Sequence, residues 1–127
     1  MSLFQLGDFT LRSGERSRWK VECDELTAED WDALAVMAME RFNLVFRDAL
    51  GVMRGGLPFE RALKPYAVAS GPILVVDDVL TTGASLLGMM SGWPGDSIGL
   101  VAFARCPVPD GVMALWTLAG GAGGERQ

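Results

Sequence analysis

Two adjacent carboxylates end an aliphatic run in the stretch ILVVDDVLTTGAS, residues 73–85. Asp77 and Asp78 follow four large apolar residues, a pattern typical of a strand that is buried on both faces of a parallel sheet. An uncompensated polar group buried in such a strand costs about 2–7 kcal/mol. At the carboxyl end of the strand, where open α/β sheets bind ligands, the pair can instead accept hydrogen bonds from hydroxyl groups or hold a hydrated cation. The sequence therefore predicts a ligand site here.

The residues after the acidic pair form a candidate phosphate loop, predicted over 79–83 and followed by a helix over 84–90. Its five polar or small residues are Thr81, Thr82, Gly83, Ala84 and Ser85. A tight loop of this kind turns several main-chain N–H groups toward one point, and a following helix adds partial positive charge. Carboxylates for a diol beside amides for a phosphate describe a sugar-phosphate site. The alternative is an ordinary strand-to-helix turn in which aspartate and threonine only cap the helix.

Composition excludes several kinds of chemistry. The 127 residues contain no histidine, which rules out a Ser-His-Asp or Cys-His mechanism and argues against a zinc enzyme. The two cysteines, Cys23 and Cys106, are far apart in sequence, and we expect free thiols in a cytoplasmic protein. No apolar run reaches the ~18 residues of a membrane span, and no secretion signal is evident. Half of the residues are hydrophobic, which predicts one globular domain.

The net charge of −5 argues against a broad nucleic-acid-binding surface. We expect neither nucleic acid nor membrane as a partner. Four basic residues nevertheless crowd one N-terminal stretch, at Arg12, Arg16, Arg18 and Lys20. Such a cluster can hold a small anion, or it can simply protect the exposed edge of a hairpin.

The N-terminal part predicts a hairpin and a helix that position this cluster. Residues 8–23 alternate twice between apolar and polar, with a turn at 13–15, which indicates a β-hairpin. Thr27 with Asp30 three residues later predicts a capped helix start. The helix should bury one face, formed by Trp31, Leu34, Ala35, Ala38 and Phe42.

The rest of the chain predicts an α/β domain with a central, mostly parallel sheet of about four strands flanked by helices. Strands are expected over 49–53, 73–78 and 97–105, with a loop at 54–57 and a short helix from Pro58 to about Pro65. The crossovers 54–72 and 79–96 are long enough for two βαβ units. The connection CPVPDG is too short for a helical crossover, so we expect the last strand to pair antiparallel at an edge.

These elements assign residues 1–119 to one domain, with a hairpin over 8–23 and a core over 27–119. The glycine-rich tail 120–127 is expected to be disordered.

The stretch 73–85 resembles, over its whole length, the binding motif for phosphoribosyl pyrophosphate (PRPP) of the type I phosphoribosyltransferases. The resemblance implies a Rossmann-like fold. It implies that Asp77 and Asp78 hold the ribose 2′ and 3′ hydroxyls together with PRPP-bound Mg²⁺. It also implies that the loop from Thr81 to Ser85 binds the 5′-phosphate.

Three further stretches are similar to orotate phosphoribosyltransferases in particular. FQLGDFTLRSGERSRW resembles their N-terminal signature, which implies that Arg12, Trp19 and Lys20 contact PRPP or the base. GVMRGGLPFERAL is similar to their pyrophosphate loop, and the residues it implies are Arg54, Gly55 and Gly56. VAFARCPVPDG places Arg105 where the family contacts the carboxylate of orotate, and a guanidinium can bind that group with two hydrogen bonds.

The chain departs from this family between Tyr66 and Gly71. Only residues 67–70 lie there, where the family carries a further strand and a mobile loop with a catalytic lysine. Losing one preorganised donor commonly costs about 10²–10³-fold in rate. The cations that could substitute are Arg12, Lys20, Arg54 and Lys64.

Three functions therefore stay open. The first is transfer of 5-phosphoribosyl from Mg-PRPP to a nucleobase, orotate or a related pyrimidine. The second is a catalytically weak or inactive regulatory protein that binds PRPP or a nucleotide. The third is another ribosyl donor or acceptor on the same scaffold, or nucleotide hydrolysis. A homodimer is expected by family analogy alone.

Overall fold

The computed structural model describes residues 3–10 and 16–118. Its strands are β1 (Phe4–Thr10), β2 (Arg16–Val21), β3 (Asp48–Gly51), β4 (Ile73–Leu80), β5 (Ser97–Ala104) and β6 (Val112–Thr117). Its α-helices are α1 (Ala28–Phe42), α2 (Leu57–Leu63) and α3 (Ala84–Met90). Short 3₁₀ turns cover Cys23–Glu25 and Lys64–Tyr66.

The predicted N-terminal hairpin is present, because β1 and β2 pair antiparallel with Phe4 opposite Val21. The hairpin begins four residues before the predicted start at residue 8, since the apolar alternation already starts at Phe4. A register shift between Leu6 and Phe9 marks a bulge in β1. The predicted turn at 13–15 lies outside the described residues.

Helix α1 begins at the predicted cap. The hydroxyl of Thr27 accepts the main-chain N–H of Asp30 at 3.1 Å, and the Asp30 carboxylate accepts the N–H of Thr27 at 2.8 Å. This reciprocal capping box satisfies two N–H groups that the helix start would otherwise leave unpaired. The predicted inner face is buried at Trp31, Leu34, Ala35 and Ala38, with Phe42 partly buried against the same core.

A four-stranded sheet in the order β3-β4-β5-β6 forms the centre of the molecule. Consecutive residues of β4 serve opposite faces. Leu74 and Val76 pack in the core beneath α1 and α2, whereas Ile73 and Val75 pack with Leu86 of α3. This burial on both faces accounts for the nearly unbroken apolar run that precedes Asp77. The predicted α/β class, sheet and flanking helices are confirmed.

The expectation of an antiparallel last strand is wrong, because β6 pairs parallel to β5 with Gly99 opposite Val112. Seven connecting residues, 105–111, can span about 24 Å when extended. A parallel connection must return from the end of β5 to the level of Gly99, a distance of ~17 Å along the strand, and this span is sufficient. The residues before Pro107 and Pro109 favour extended backbone. An extended crossover therefore replaces the helix that the parallel connection was assumed to need.

Two strand ends differ from the prediction in a way that affects the site. Strand β3 ends at Gly51 rather than residue 53, which lengthens the loop before α2. Strand β4 continues to Leu80, a buried residue, so the loop after the acidic pair begins at Thr81 rather than at residue 79.

Within the described part of the chain, no helix has both the length and the apolar character needed to cross a membrane. The assignment of residues 1–119 to one domain stays a prediction. The tail 120–127 lies outside the described residues.

Candidate functional site

The acidic pair lies near the carboxyl end of β4, two residues before the loop that begins at Thr81. Asp77 is buried at 3% exposure, and Asp78 is partly buried. The Asp77 Oδ1 atom accepts the N–H of Asp78 at 2.8 Å, and the Asp78 Oδ1 atom accepts the N–H of Val79 at 2.7 Å. Each carboxylate is thus oriented by the main-chain N–H of the following residue. The pair is fixed in position by the strand itself.

The predicted phosphate loop lies beside Asp77 in one cavity. This cavity of about 260 Å³ is lined by Asp77 and by every residue from Val79 to Leu86. Gly83 has φ +86°, a left-handed conformation that glycine adopts without the steric cost of a side chain. The Thr82 hydroxyl accepts the N–H of Ala84 at 3.3 Å, which closes the turn. The geometry therefore brings carboxylate, hydroxyl and amide groups to one concave surface.

Helix α3 is only seven residues long. The sequence predicted the same seven residues, and a helix of this length adds only a small dipole to an anion site. The loop residues Thr81, Thr82 and Ser85 bring hydroxyl groups to the lining of this cavity.

The predicted pyrophosphate loop reaches the acidic pair from β3. A methyl group added at Gly55 would lie 2.3 Å from the Asp78 Oδ2 atom, so the main chain of Gly55 packs directly against that carboxylate. Gly56 is equally enclosed, because a methyl group there would lie 2.6 Å from the carbonyl oxygen of Val76 in β4. Arg54 is exposed, and its peptide bond to Met53 is cis. Gly55 therefore adjoins the acidic pair and Gly56 packs against β4 just before it, while the predicted contact of these residues with pyrophosphate stays a prediction.

Arg105 follows the end of β5 and is 7% exposed. Its main-chain N–H donates to the carbonyl oxygen of Leu80 at 2.8 Å, which fixes it beside the end of β4. The Arg105 residue therefore lies at the carboxyl end of the sheet, as the two aspartates do.

The remaining predicted contacts are less defined. Arg12 lies outside the described residues. Trp19 and Lys20 belong to β2, where their main chains pair with Leu6 and Gln5 respectively. Nothing in the described structure tests the roles assigned to these side chains.

Lys64 lies too far from the predicted site to substitute for the catalytic lysine that the sequence analysis found missing. Its Nζ atom pairs with the Asp48 carboxylate at 2.7 Å. The side-chain hydrogen bond from Lys64 lowers the pKa of Asp48. Asp48 begins β3, at the opposite end of the sheet from Asp77 and Asp78, because parallel strands share their orientation. Lys64 serves the fold there and not the site.

Cys23 is a neighbour of the acidic pair that the sequence analysis did not single out. It is buried at 7% exposure, and the pKa of its thiol is raised, mainly by burial and then by the charge of Asp78. The apolar alternation predicted over residues 8–23 ends at Cys23, two residues beyond β2, and it was the only sequence signal that the side chain points inward. A neutral thiol in this place adds no charge to the site.

The oxygen ligands present suit Mg²⁺ held chiefly by a bound substrate. The described residues contain no group of three or more His, Cys, Asp or Glu side chains that could enclose a metal ion. Mg²⁺ commonly binds through one or two carboxylates together with substrate phosphates and water. Asp77 and Asp78 match that partial set, so the site fits a cation that arrives with a phosphorylated ligand.

A larger cavity of about 460 Å³ lies between β1, the start of α1 and the ends of β5 and β6. Its lining is almost entirely apolar, including Phe4, Phe103 and Trp116, and contains none of the predicted site residues. Of these two cavities among the described residues, the smaller one is the candidate functional site, because oriented polar groups converge there.

Comparison with known proteins identifies the fold. The chain matches no protein-family model and no curated protein. Among solved structures it is similar to orotate phosphoribosyltransferase from Aeropyrum pernix, with a TM-score of 0.73 and 22% identity. That match covers 91% of this chain and 88% of the other.

Two more structures agree. Orotate phosphoribosyltransferase of Mycobacterium tuberculosis H37Rv in complex with Fe(III) dicitrate gives a TM-score of 0.67 at 17% identity, over 95% of this chain and 93% of that one. Orotate phosphoribosyltransferase of Francisella tularensis gives a TM-score of 0.59 at 15% identity, and the match covers 91% of this chain and 80% of that one. The fold expected from the sequence resemblance is therefore confirmed, because the chain shares it with these three orotate phosphoribosyltransferase structures.

Proposed function

We propose that this protein binds Mg-PRPP and transfers its 5-phosphoribosyl group to a nucleobase, orotate or a related pyrimidine. The observation that carries the proposal is that three segments meet at the carboxyl ends of the parallel strands. Asp77 borders the cavity of the 81–85 loop, and Gly55 packs against Asp78. These are the segments that resemble the ribose, 5′-phosphate and pyrophosphate sites of the family.

PRPP would bind across the carboxyl end of β4. The carboxylates of Asp77 and Asp78 accept hydrogen bonds from the ribose hydroxyls, and the amides and hydroxyls of 81–85 donate to the 5′-phosphate. Both kinds of group are oriented before the ligand arrives, by main-chain hydrogen bonds and by the turn at Gly83. Preorganisation of this kind reduces the cost of binding.

In the transfer step, the bond from ribose C1 to the pyrophosphate oxygen breaks, a bond from C1 to a ring nitrogen forms, and that nitrogen releases its proton to solvent. Negative charge accumulates on the departing pyrophosphate. Mg²⁺, when bound, would neutralise part of that charge. Gly55 and Gly56 let the 52–56 loop pack against Asp78 and β4, which places the loop beside the acidic pair, and the exposed Arg54 can donate to the pyrophosphate.

The acceptor would lie toward Arg105. A guanidinium offers two parallel donors to a planar carboxylate, which suits orotate. Burial of Arg105 strengthens such a contact, because the surrounding dielectric is lower than in water. We also infer a cytoplasmic location and a homodimer, both by analogy with the family.

A second candidate is a PRPP-binding regulatory protein with little or no catalysis. The observation that favours it is the direct link from the 3₁₀ turn Lys64–Tyr66 to Ile73, which contains no strand and only six residues. The family places its catalytic lysine loop in this connection. A chain without that loop retains donor binding more readily than rate acceleration.

Radiolabelled PRPP, incubated with the protein, Mg²⁺ and each of a panel of nucleobases, separates the two candidates. Nucleotide formation with orotate or a related pyrimidine supports the transferase. Binding of PRPP without nucleotide formation from any base supports the regulatory protein. Release of pyrophosphate without a base would instead indicate hydrolysis.

A further inference from the structure

Strand β3 lies at the edge of the sheet and pairs only with β4 among the described strands. The N–H of Val52 donates to the carbonyl oxygen of Val76 in β4 at 2.8 Å. Because N–H groups alternate in direction along a strand, the N–H of Gly51 points away from β4, toward the open edge. A side chain of α2 occupies this edge. The Glu60 Oε1 atom accepts the N–H of Gly51 at 2.7 Å.

Glu60 also binds the other end of the same loop. Its main-chain N–H donates to the carbonyl oxygen of Gly56 at 2.9 Å, while the N–H of Gly56 donates to the carbonyl oxygen of Val52 at 2.8 Å. One residue therefore connects the residue before the loop with the residue that ends it. The loop between them, 52–56, contains the Gly55 that packs against Asp78.

We propose that Glu60 is a positioning residue that holds the 52–56 loop in the conformation that binds pyrophosphate. This inference rests on the proposed function. Glu60 acts through the main chain of Gly51 and Gly56, not by contact with the ligand. A carboxylate would repel pyrophosphate if it faced the ligand, but this one is directed at an amide on the open edge of β3.

The carboxylate has a physical advantage in this place. A hydrogen bond from an amide to a charged oxygen is stronger than one to a neutral oxygen. An edge strand also presents N–H groups that would otherwise pair with another chain, and the Glu60 side chain blocks one of them. Glutamine would keep the acceptor oxygen and lose only the charge.

Lys64 supplies a matched control. Its ammonium group pairs with Asp48 at 2.7 Å, which links the C-terminal end of α2 to the start of β3, at the opposite end of β3 from the 52–56 loop. Removing the Lys64 side chain therefore loosens the contact between α2 and β3 without touching Gly51 or Gly56. Any effect found at Glu60 but not at Lys64 belongs to the loop.

The test is calorimetric titration of the full chain, in Mg²⁺, with two separate probes: pyrophosphate and ribose 5-phosphate. Ribose 5-phosphate engages the acidic pair and the 81–85 loop but not the 52–56 loop. We expect Glu60→Ala to weaken pyrophosphate binding about tenfold, the size of one lost charge-assisted hydrogen bond. Ribose 5-phosphate affinity should fall clearly less than pyrophosphate affinity, because the 81–85 loop holds its phosphate and the 52–56 loop reaches the ribose site only through the contact of Gly55 with Asp78. Glu60→Gln should recover most of the loss, and Lys64→Ala should match the parent with both probes.

Equal pyrophosphate affinity in Glu60→Ala and the parent overturns the inference. So does an equal loss with both probes, which would indicate general destabilisation. Should Glu60→Ala fail to fold, Glu60→Gln carries the test, with a pyrophosphate loss of about two- to threefold and no ribose 5-phosphate loss. A parent protein that binds neither probe contradicts the proposed function itself, a result distinct from a loop defect.

Discussion

Gly55 packs its main chain against the carboxylate of Asp78, with space for no further atom between them. The contact joins the 52–56 loop to strand β4, at two positions that are more than twenty residues apart in sequence. It makes the pyrophosphate segment and the ribose segment parts of one surface. It also predicts that glycine is required at position 55 for a reason other than backbone conformation, since Gly55 is not among the residues with positive φ.

The substitution Gly55→Ala tests this contact. The added methyl group would lie 2.3 Å from Asp78 Oδ2, and the flexible carboxylate must move to accommodate it. We expect the affinity for Mg-PRPP to fall about tenfold, since displacement of one charged hydrogen-bond acceptor is worth about 1.5–3 kcal/mol. Calorimetric titration measures the change.

Gly88→Ala is the control for that substitution. Gly88 lies in α3 with nothing within 4 Å of an added methyl group. Alanine there should stabilise the fold by about 0.5–1 kcal/mol, because glycine is the poorer helix former, and it should leave PRPP affinity unchanged. Equal PRPP affinities for the two variants would contradict the close packing at Gly55.

Arg105→Lys tests the proposed acceptor contact. Lysine keeps the positive charge but cannot make two parallel hydrogen bonds to a carboxylate. We expect the KM for orotate to rise about tenfold or more, with PRPP affinity within about twofold. Steady-state kinetics with orotate as the varied substrate, and titration with PRPP, provide the two numbers.

The exposed Arg61→Lys on α2 serves as the matched control and should change neither quantity. A comparable loss of PRPP affinity in Arg105→Lys would show that Arg105 supports the donor site instead of the acceptor site.

Cys23 makes stability depend on pH in the alkaline range. Burial and the neighbouring charges of Asp78 and Glu22 raise the pKa of its thiol above the ordinary value of 9.0. Since the folded pKa exceeds the unfolded one, the contribution to stability is present below pH 9.0. It is lost above that pH, because only the unfolded chain releases the proton. We expect a loss of about 1.4 kcal/mol per pH unit there.

Denaturant unfolding of the parent and of Cys23→Ala between pH 8 and 10.5 measures this slope. Other groups titrate in the same range, but they contribute to both proteins. The difference between the two stabilities should therefore shrink as the pH rises. Parallel pH profiles would contradict the burial of a neutral thiol beside the acidic pair.

Local patterns predicted the elements that depend on local forces. The capping box of α1 needs only Thr27 and Asp30, and the structure contains it as predicted. Helix α3 and strand β5 also lie within one residue of their expected bounds, since each is enclosed by turn residues. The motif 73–85 was readable because one short segment supplies both the acidic pair and the loop.

Features that depend on contacts between distant parts of the chain could not be predicted from the sequence. The parallel pairing of β6 depends on how far an extended crossover reaches, which alternation within the strand cannot indicate. Lys64 seemed available as a cation until the structure placed Asp48 beside it. Nothing in the sequence around Glu60 signals that its carboxylate binds the N–H of Gly51, since that contact requires the packing of α2 on the edge strand.

Calorimetric titration of Mg-PRPP into the parent and into the double variant Asp77→Asn, Asp78→Asn tests the central claim most directly. Asparagine keeps the Oδ1 acceptors that hold the N–H groups of residues 78 and 79, so the fold should persist while the charges are removed. The account predicts one PRPP site per chain in the parent and a loss of about a hundredfold or more in the variant, as expected for two charged acceptors. Absence of binding to the parent, or equal binding to both proteins, would contradict it.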